Sequence, residues 1–350
     1  MRTKLFAMAA ITVMIVSVAG FAVYDATTAR AKKREAARIV GILPASDGVA
    51  VFESKRFLDE AIPKVLSANQ PMLGQISAKI VEMNDRTGID LRKFDQVAVG
   101  VTMKQLSATN FDTDVVAIAS GDINAGALVA VAKLASKGTY REEKIGSKTV
   151  YVFTAKDVLK KTTAPAVNSK ITGLVDQALD HVTKDIAVVS LDPNTLVIGS
   201  LDRVRETVQG SSHVGVDVSS LLSVKETSVV SFAVKTPSGL DNLLPLDNDE
   251  LGKNIDSIHY VAGSLDVAAN GTSVQVMART GNAEQAQQLK ETIDGLQLVG
   301  KAILGGSKRA DQKVYGRMLK NAVVTVRGSD LSLDLTVPQS DIDVLIGGIK

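Results

Sequence analysis

Two hairpin phrases of the same cast lie far apart in this 350-residue chain, and they constrain its fold more than any other feature. Ala187-Val188-Val189-Ser190-Leu191 runs into Asp192-Pro193-Asn194 and out through Thr195-Leu196-Val197-Ile198. Ala322-Val323-Val324-Thr325-Val326 runs into Arg327-Gly328-Ser329 and out through Asp330-Leu331-Ser332-Leu333. Each reads as two β-strands joined by a tight turn, because Pro, Asn and Gly supply the required backbone angles. A short helical stretch follows each pair, Asp202 to Val208 and Ser340 to Ile346.

Upstream elements correspond in the same order. Val49 to Phe52 is a predicted strand, followed by a helix whose face carries Phe57, Leu58, Ala61, Ile62, Val65 and Leu66. Its counterpart is the strand Ser228 to Val234, with Leu240 to Leu246 behind it. Gly88-Ile89-Asp90 precedes the strand Gln96 to Thr102, as Asn254-Ile255-Asp256 precedes Ile258 to Leu265. Strands at Asp114 to Ala119 and Ser273 to Ala278 lead to helices opening near Asn124 and Asn282. In the later helix Asn282 caps, with Gln285 in the capping-box position, and Ala286, Leu289, Ile293, Leu296 and Ile303 form an apolar seam. A helix from Met72 to Met83 is extra in the first half.

Strands interleaved with helices, with hairpins among them, predict an α+β fold. The expectation is two tandem related domains, each a largely antiparallel sheet covered by helices, after an N-terminal hydrophobic helix. The break in periodicity at Gly210 to Val218 divides residues 43–212 from residues 213–350. Thr162 to Val167, with Pro165, reads as a loop within the first domain.

Ahead of these domains, residues 1–24 hold a charge-free run from Leu5 to Tyr24 behind Arg2 and Lys4. About twenty apolar residues in helical form span a hydrocarbon core of ~30 Å. Two readings follow. Arg2 and Lys4 form the basic start of a secretory signal, with Ser17-Val18-Ala19 or Gly20-Phe21-Ala22 as small residues for cleavage. Alternatively the whole run is retained as a transmembrane anchor. Arg30, Lys32, Lys33 and Arg34 favour the cytoplasmic side, and the basic N-terminus opposes them. Export to the envelope is the expectation, with the body facing the periplasm or released into it. Residues 25–42 read as a basic, Ala-rich stalk, solvated or lying on anionic lipid.

The formal charge of +2 is misleading, because residues 1–34 hold six Lys or Arg against one Asp and leave the rest at −3. A weakly acidic body without basic stripes argues against nucleic acid as partner. With no cysteine, disulfides, thiolate catalysis, zinc ribbons and attachment through an N-terminal lipidated cysteine all fall away. Tryptophan is absent and aromatics are 4%, which lowers the weight of a sugar-binding surface.

Chemical motifs fail on inspection. Gly146-Ser147-Lys148-Thr149 lacks the glycine a phosphate loop needs before its lysine, and a strand follows where a helix should. Gly305-Gly306-Ser307 lacks the lysine. His181, His213 and His259 show no metal-ligand spacing. Asp241, Asp247, Asp249 and Glu250 crowd Pro245, but Leu251 and Ile258 occupy slots where a calcium loop wants oxygen. No Gly-x-Ser-x-Gly elbow occurs. No catalytic, cofactor-binding or metal residue is assigned, and no cofactor is expected.

The phrase Leu43-Pro44-Ala45-Ser46-Asp47, followed after Gly48 by the strand Val49 to Phe52, completes a pattern with the N-terminal segment and the repeated units. That pattern resembles a loose group of exported or membrane-anchored bacterial proteins with duplicated α+β modules. The resemblance implies an envelope location and transfers no activity and no catalytic residue. The function expected is non-enzymatic, the binding of a protein partner or lipid-like ligand. Alternatives are an extracytoplasmic hydrolase using hydroxyl or carboxylate groups in an inter-domain cleft, and a structural spacer.

Overall fold

A computed structural model describes residues 26–87, 89–107, 110–154, 185–225, 227–238, 249–268 and 271–347. The hydrophobic run Leu5 to Tyr24, the loop Thr162 to Val167, His181 and the Asp241–Asp247 cluster lie outside these residues. Among the described residues, no helix is long and apolar enough to cross a membrane.

The fold is α+β, built on one large antiparallel sheet covered by helices. Helix α1 (Ala26–Ile42) leads into β1 (Gly48–Glu53). Three contiguous helical pieces, Ser54–Arg56, Phe57–Ala61 and Ile62–Val65, make up α2. Then come α3 (Gln70–Thr87), β2 (Phe94–Ser107), β3 (Asn110–Gly121) and α4 (Ala125–Ala135). The hairpin β4 (Tyr140–Ile145) and β5 (Lys148–Phe153) precedes the hairpin β6 (Ile186–Asp192) and β7 (Thr195–Ser200). Helices α5 (Leu201–Gln209) and α6 (Val216–Ser219) follow, the first closed by Gly210 at φ 60°. The second half consists of β8 (Ser228–Lys235), α7 (Asp249–Asp256), β9 (Ile258–Ala268) and β10 (Gly271–Thr280). It continues with α8 (Ala283–Gly305), α9 (Ala310–Asn321), β11 (Val323–Arg327), β12 (Asp330–Pro338) and α10 (Gln339–Gly347).

The twelve strands of the described residues lie in one sheet of order β11-β12-β10-β9-β8-β1-β2-β3-β7-β6-β5-β4. Outward from the centre, the first half runs β1-β2-β3-β7-β6 and the second β8-β9-β10-β12-β11, which is the same order. The β4–β5 hairpin extends the first half beyond that match. Where a separate sheet for each half was expected, β1 and β8 instead pair antiparallel, Gly48 opposite Val234 and Phe52 opposite Val230. The physical reason is edge satisfaction. Each would otherwise be an open, apolar edge strand, and pairing them removes both liabilities at once.

Helices cover the sheet unevenly. On one face Ala36, Ile39, Val40 and Leu43 of α1 and the loop after it bury against Val49, Val51, Ala98, Val116 and Ile118, with Val204 of α5 alongside. The expected stalk is therefore a helix whose last two turns belong to the core. On the other face Ala61 of α2 packs on Val229, Val230, Leu265 and Val267, so a helix of the first half covers strands of the second. Helix α4 closes over Phe153, Val188 and Leu196, and α8 over Ala278 and Leu331.

Candidate functional site

The Leu43–Asp47 phrase forms a latch at the end of the joint between halves. Asp47 N–H donates to Val101 O at 2.9 Å, and Asp47 O accepts from Lys235 N at 2.7 Å. The Asp47 carboxylate accepts from Met103 N at 2.8 Å, so one residue ties β2 to β8. Arg203, carried in on α5 and buried, donates to Ala45 O and Ser46 Oγ, each at 2.7 Å. Ser46 Oγ in turn donates to Pro44 O at 2.8 Å.

Beside this latch lies a cleft of about 290 Å³, lined by Asp47, Thr102, His213, Asp217 and Lys235 among others. Its carboxylates are occupied. Asp47 holds Met103 N, and Asp217 accepts from Tyr260 Oη at 2.9 Å. That hydrogen bond to Asp217 pushes the Tyr260 hydroxyl above its ordinary pKa, and burial adds to the shift.

A second cleft, about 500 Å³, opens between α1 and the turns at the ends of β3 and β6. Glu35 and Arg38 face each other at 2.7 Å, and Arg38 Nη2 also donates to Thr195 Oγ1 at 3.1 Å. The hydrogen bond from Arg38 holds the Glu35 carboxyl below the usual range. Partial burial opposes that, and the Ser120 hydroxyl assists it. Asp95, Asp122 and Asp192 line the rest, with Asp192 Oδ1 capping Asn194 N at 2.8 Å.

The third feature is the helical hairpin of α8 and α9. Asn282 caps α8 by accepting from Gln285 N at 3.0 Å, the forward half of the capping box. Ala286 and Leu289 are buried and Ile293 packs beside them, so the first part of the apolar seam is core. Farther along, α8 rests on α9, with Leu319 filling the space over Gly300. In this later part of α8, Leu296, Leu298, Val299 and Ile303 are 55, 71, 56 and 71% exposed. Leu296, Val299 and Ile303 share one side of α8 as an apolar ridge that no layer of the described residues buries, and Leu298 stands apart on the outer side of the helix.

The motif candidates fall where turn chemistry puts them. Gly146 (φ 58°) turns the β4–β5 hairpin, and Lys148 Nζ donates to Leu191 O at 2.5 Å. Gly305-Gly306-Ser307 ends α8. His213 lines the central cleft and His259 sits in β9, so the structure brings neither to the other. Asp249 and Glu250 open α7. Among the described residues, no three His, Asp or Glu side chains are placed to hold a metal ion. The reading of the sequence missed Arg203 and Arg38, which besides Glu206 and Glu35 three residues away reach Ala45 and Thr195 at separations of 158 and 157, and no local signal marks those long-range contacts.

No family model and no curated protein matches the chain. Solved structures of the protein TP0453 are similar to it at low level. Crystal form III aligns with a TM-score of 0.43 and 10% identity, covering 89% of this chain and 98% of that one. Crystal form I aligns at 0.40 and 11% identity, covering 88% and 96%.

Proposed function

We propose that this chain is a non-enzymatic protein of the cell envelope, delivered by its N-terminal segment, whose folded body binds a partner protein. The observation that carries the reading is the ridge of Leu296, Val299 and Ile303, large apolar side chains exposed along one side of a helix whose Ala286 and Leu289 are core. Contiguous exposed apolar surface of this kind marks interaction sites. Occupation of the cleft carboxylates by structural hydrogen bonds supports the same choice over hydrolysis. The common strand order of the two halves supports their origin as copies of one α+β module.

A double variant, Val299→Ser with Ile303→Ser, tests the reading in the full chain. The expected result is unchanged folding by circular dichroism, with loss of the protein cross-links that the parent makes in its host envelope. Unchanged cross-links would overturn it. The hydrolase alternative draws on the place of His213 and Asp217 in a cleft at the joint. His213→Ala would abolish any esterase or peptidase turnover under that alternative.

A further inference from the structure

Charge is spread unevenly over this chain. Residues 295–322, the later part of α8 with α9, hold Lys301, Lys308, Arg309, Lys313, Arg317 and Lys320 against one acid, Asp311. That stretch carries +5 in a body that carries −3 from residue 35 onward, so the remainder of the body stands at −8. On β4, by contrast, Arg141, Glu142 and Glu143 are held by Asp185, Lys133 and Arg205. Within the helical hairpin Arg309 and Arg317 are paired, with Asp311 and Asp341. Lys301, Lys308, Lys313 and Lys320 are exposed and have no carboxylate partner among the described residues.

These lysines lie where their fields add. Lys301 follows Leu298 by three positions and shares the outer side of α8 with it. Lys313 and Lys320, seven positions apart, share one side of α9, and Lys308 stands in the turn between the helices. The two helices are in contact, with Leu319 over Gly300 and Gly316 beside Leu304. Axes of packed helices lie about 8–10 Å apart, close to the screening length of about 8 Å at physiological salt. The four lysines therefore act as one patch. The ridge of Leu296, Val299 and Ile303 lies across a helix about 10 Å wide from Lys301, within reach of that field.

Two occupants of this surface are disfavoured. A second copy meeting ridge to ridge brings its own +5, and like fields repel. Lipid is disfavoured by place. Met277 of β10 packs with the core under α1, whereas Ala278, the next residue, packs under α8, so α1 and the hairpin lie on opposite faces of the sheet. The chain comes from its N-terminal hydrophobic run through α1, and the basic patch is on the other side. From this we infer that the partner taking the ridge is a different protein with an acidic docking segment, drawn to the hairpin by charge and turned away by the acidic remainder of the body. The inference rests on the binding-protein reading and names the chemistry of its partner.

The test uses the full chain in its host membranes, with photo-reactive benzoylphenylalanine at Ala302, an exposed position three residues past Val299 that leaves the ridge intact. One variant combines Lys301→Gln, Lys308→Gln, Lys313→Gln and Lys320→Gln, and a second changes the same four lysines to Arg. All four are exposed, and circular dichroism is expected to match the parent in both. Parent and Arg variant are expected to give an adduct to a protein other than this chain, which mass spectrometry places in an acidic segment. The Gln variant should lower its yield at least about tenfold, the lower end for charge-guided association. Raised salt should lower the parent's yield as well. Equal yield in the Gln variant, equal loss in both variants, or a linked segment without net negative charge overturns the inference and leaves the binding reading standing. So does an adduct to a second copy alone. Adducts to lipid alone, or none from the parent, overturn both.

Discussion

Arg203 Nη2 lies 2.7 Å from Ser46 Oγ, across a sequence separation of 157 residues, and this contact fixes the entry of the chain into its central strand. The same hydroxyl sits over Gly100 on β2, where an added Cβ would approach Ser46 Oγ to 2.6 Å and Leu43 Cδ2 to 3.3 Å. Gly100 is therefore small because the latch occupies its space. Gly100→Ala should cost about 1–3 kcal/mol, the range for overpacking a filled site. In Ser46→Ala the obstructing atom is gone, so the second substitution should cost less there than in the parent chain. A double-mutant cycle by urea unfolding measures the coupling. Independent, additive costs would show that the close approach is not what excludes a side chain at position 100.

The last turns of α1 are core, with Ile39 and, just past the helix, Leu43 fully buried. Ile39→Ala should destabilise the body by about 2–5 kcal/mol, the range for deleting buried methyls and leaving a cavity. A stalk that merely led to the domain would tolerate the change within about 0.5 kcal/mol. The helix also supplies Glu35 and Arg38 to the second cleft, so loss of its packing should loosen that cleft as well.

Glu35 gives a pH dependence of known sign. Its folded pKa is depressed, chiefly by the Arg38 hydrogen bond, so the stability it adds is present above the ordinary carboxylate value of about 4.3. That contribution is lost as pH falls through the lower folded value. The pair is about one-third exposed, and solvent screening limits its worth to no more than about 1 kcal/mol. Parent and Glu35→Gln should differ by that amount at neutral pH and converge in acid. Unfolding curves that stay parallel from pH 7 to pH 3 would contradict this assignment.

Strands and turns were legible because their causes are local. Gly328 at φ 58° and the Asp192-Pro193-Asn194 turn announce their hairpins from neighbouring residues alone. The β1–β8 joint was not legible, since its partners are about 180 positions apart and its cause is the removal of two open edges. Ile39, Val40 and Leu43 show helical spacing, but the basic residues before them pointed to a solvated helix. Neither cleft has a linear signature, because Arg38 meets Thr195 and Asp217 meets Tyr260 only through the sheet. In α8 the periodicity located the seam, but past Ile293 the helix is covered by α9 only on the side of Gly300 and Leu304, and Leu296 and Ile303 of the seam are left exposed.

That last distinction makes a sharp prediction within one helix. Leu289 is 4% exposed and packs with Ala278 and Leu331, whereas Leu298 is 71% exposed. Leu289→Asp places an unpaired carboxylate in apolar surroundings and should abolish cooperative folding, since burying a charge costs several kcal/mol. Leu298→Asp keeps its carboxylate in water and should change stability by no more than about 0.5 kcal/mol. Thermal unfolding of the two variants side by side gives the answer. Equal loss of stability would mean that the outer side of α8 at Leu298 is covered, against its 71% exposure.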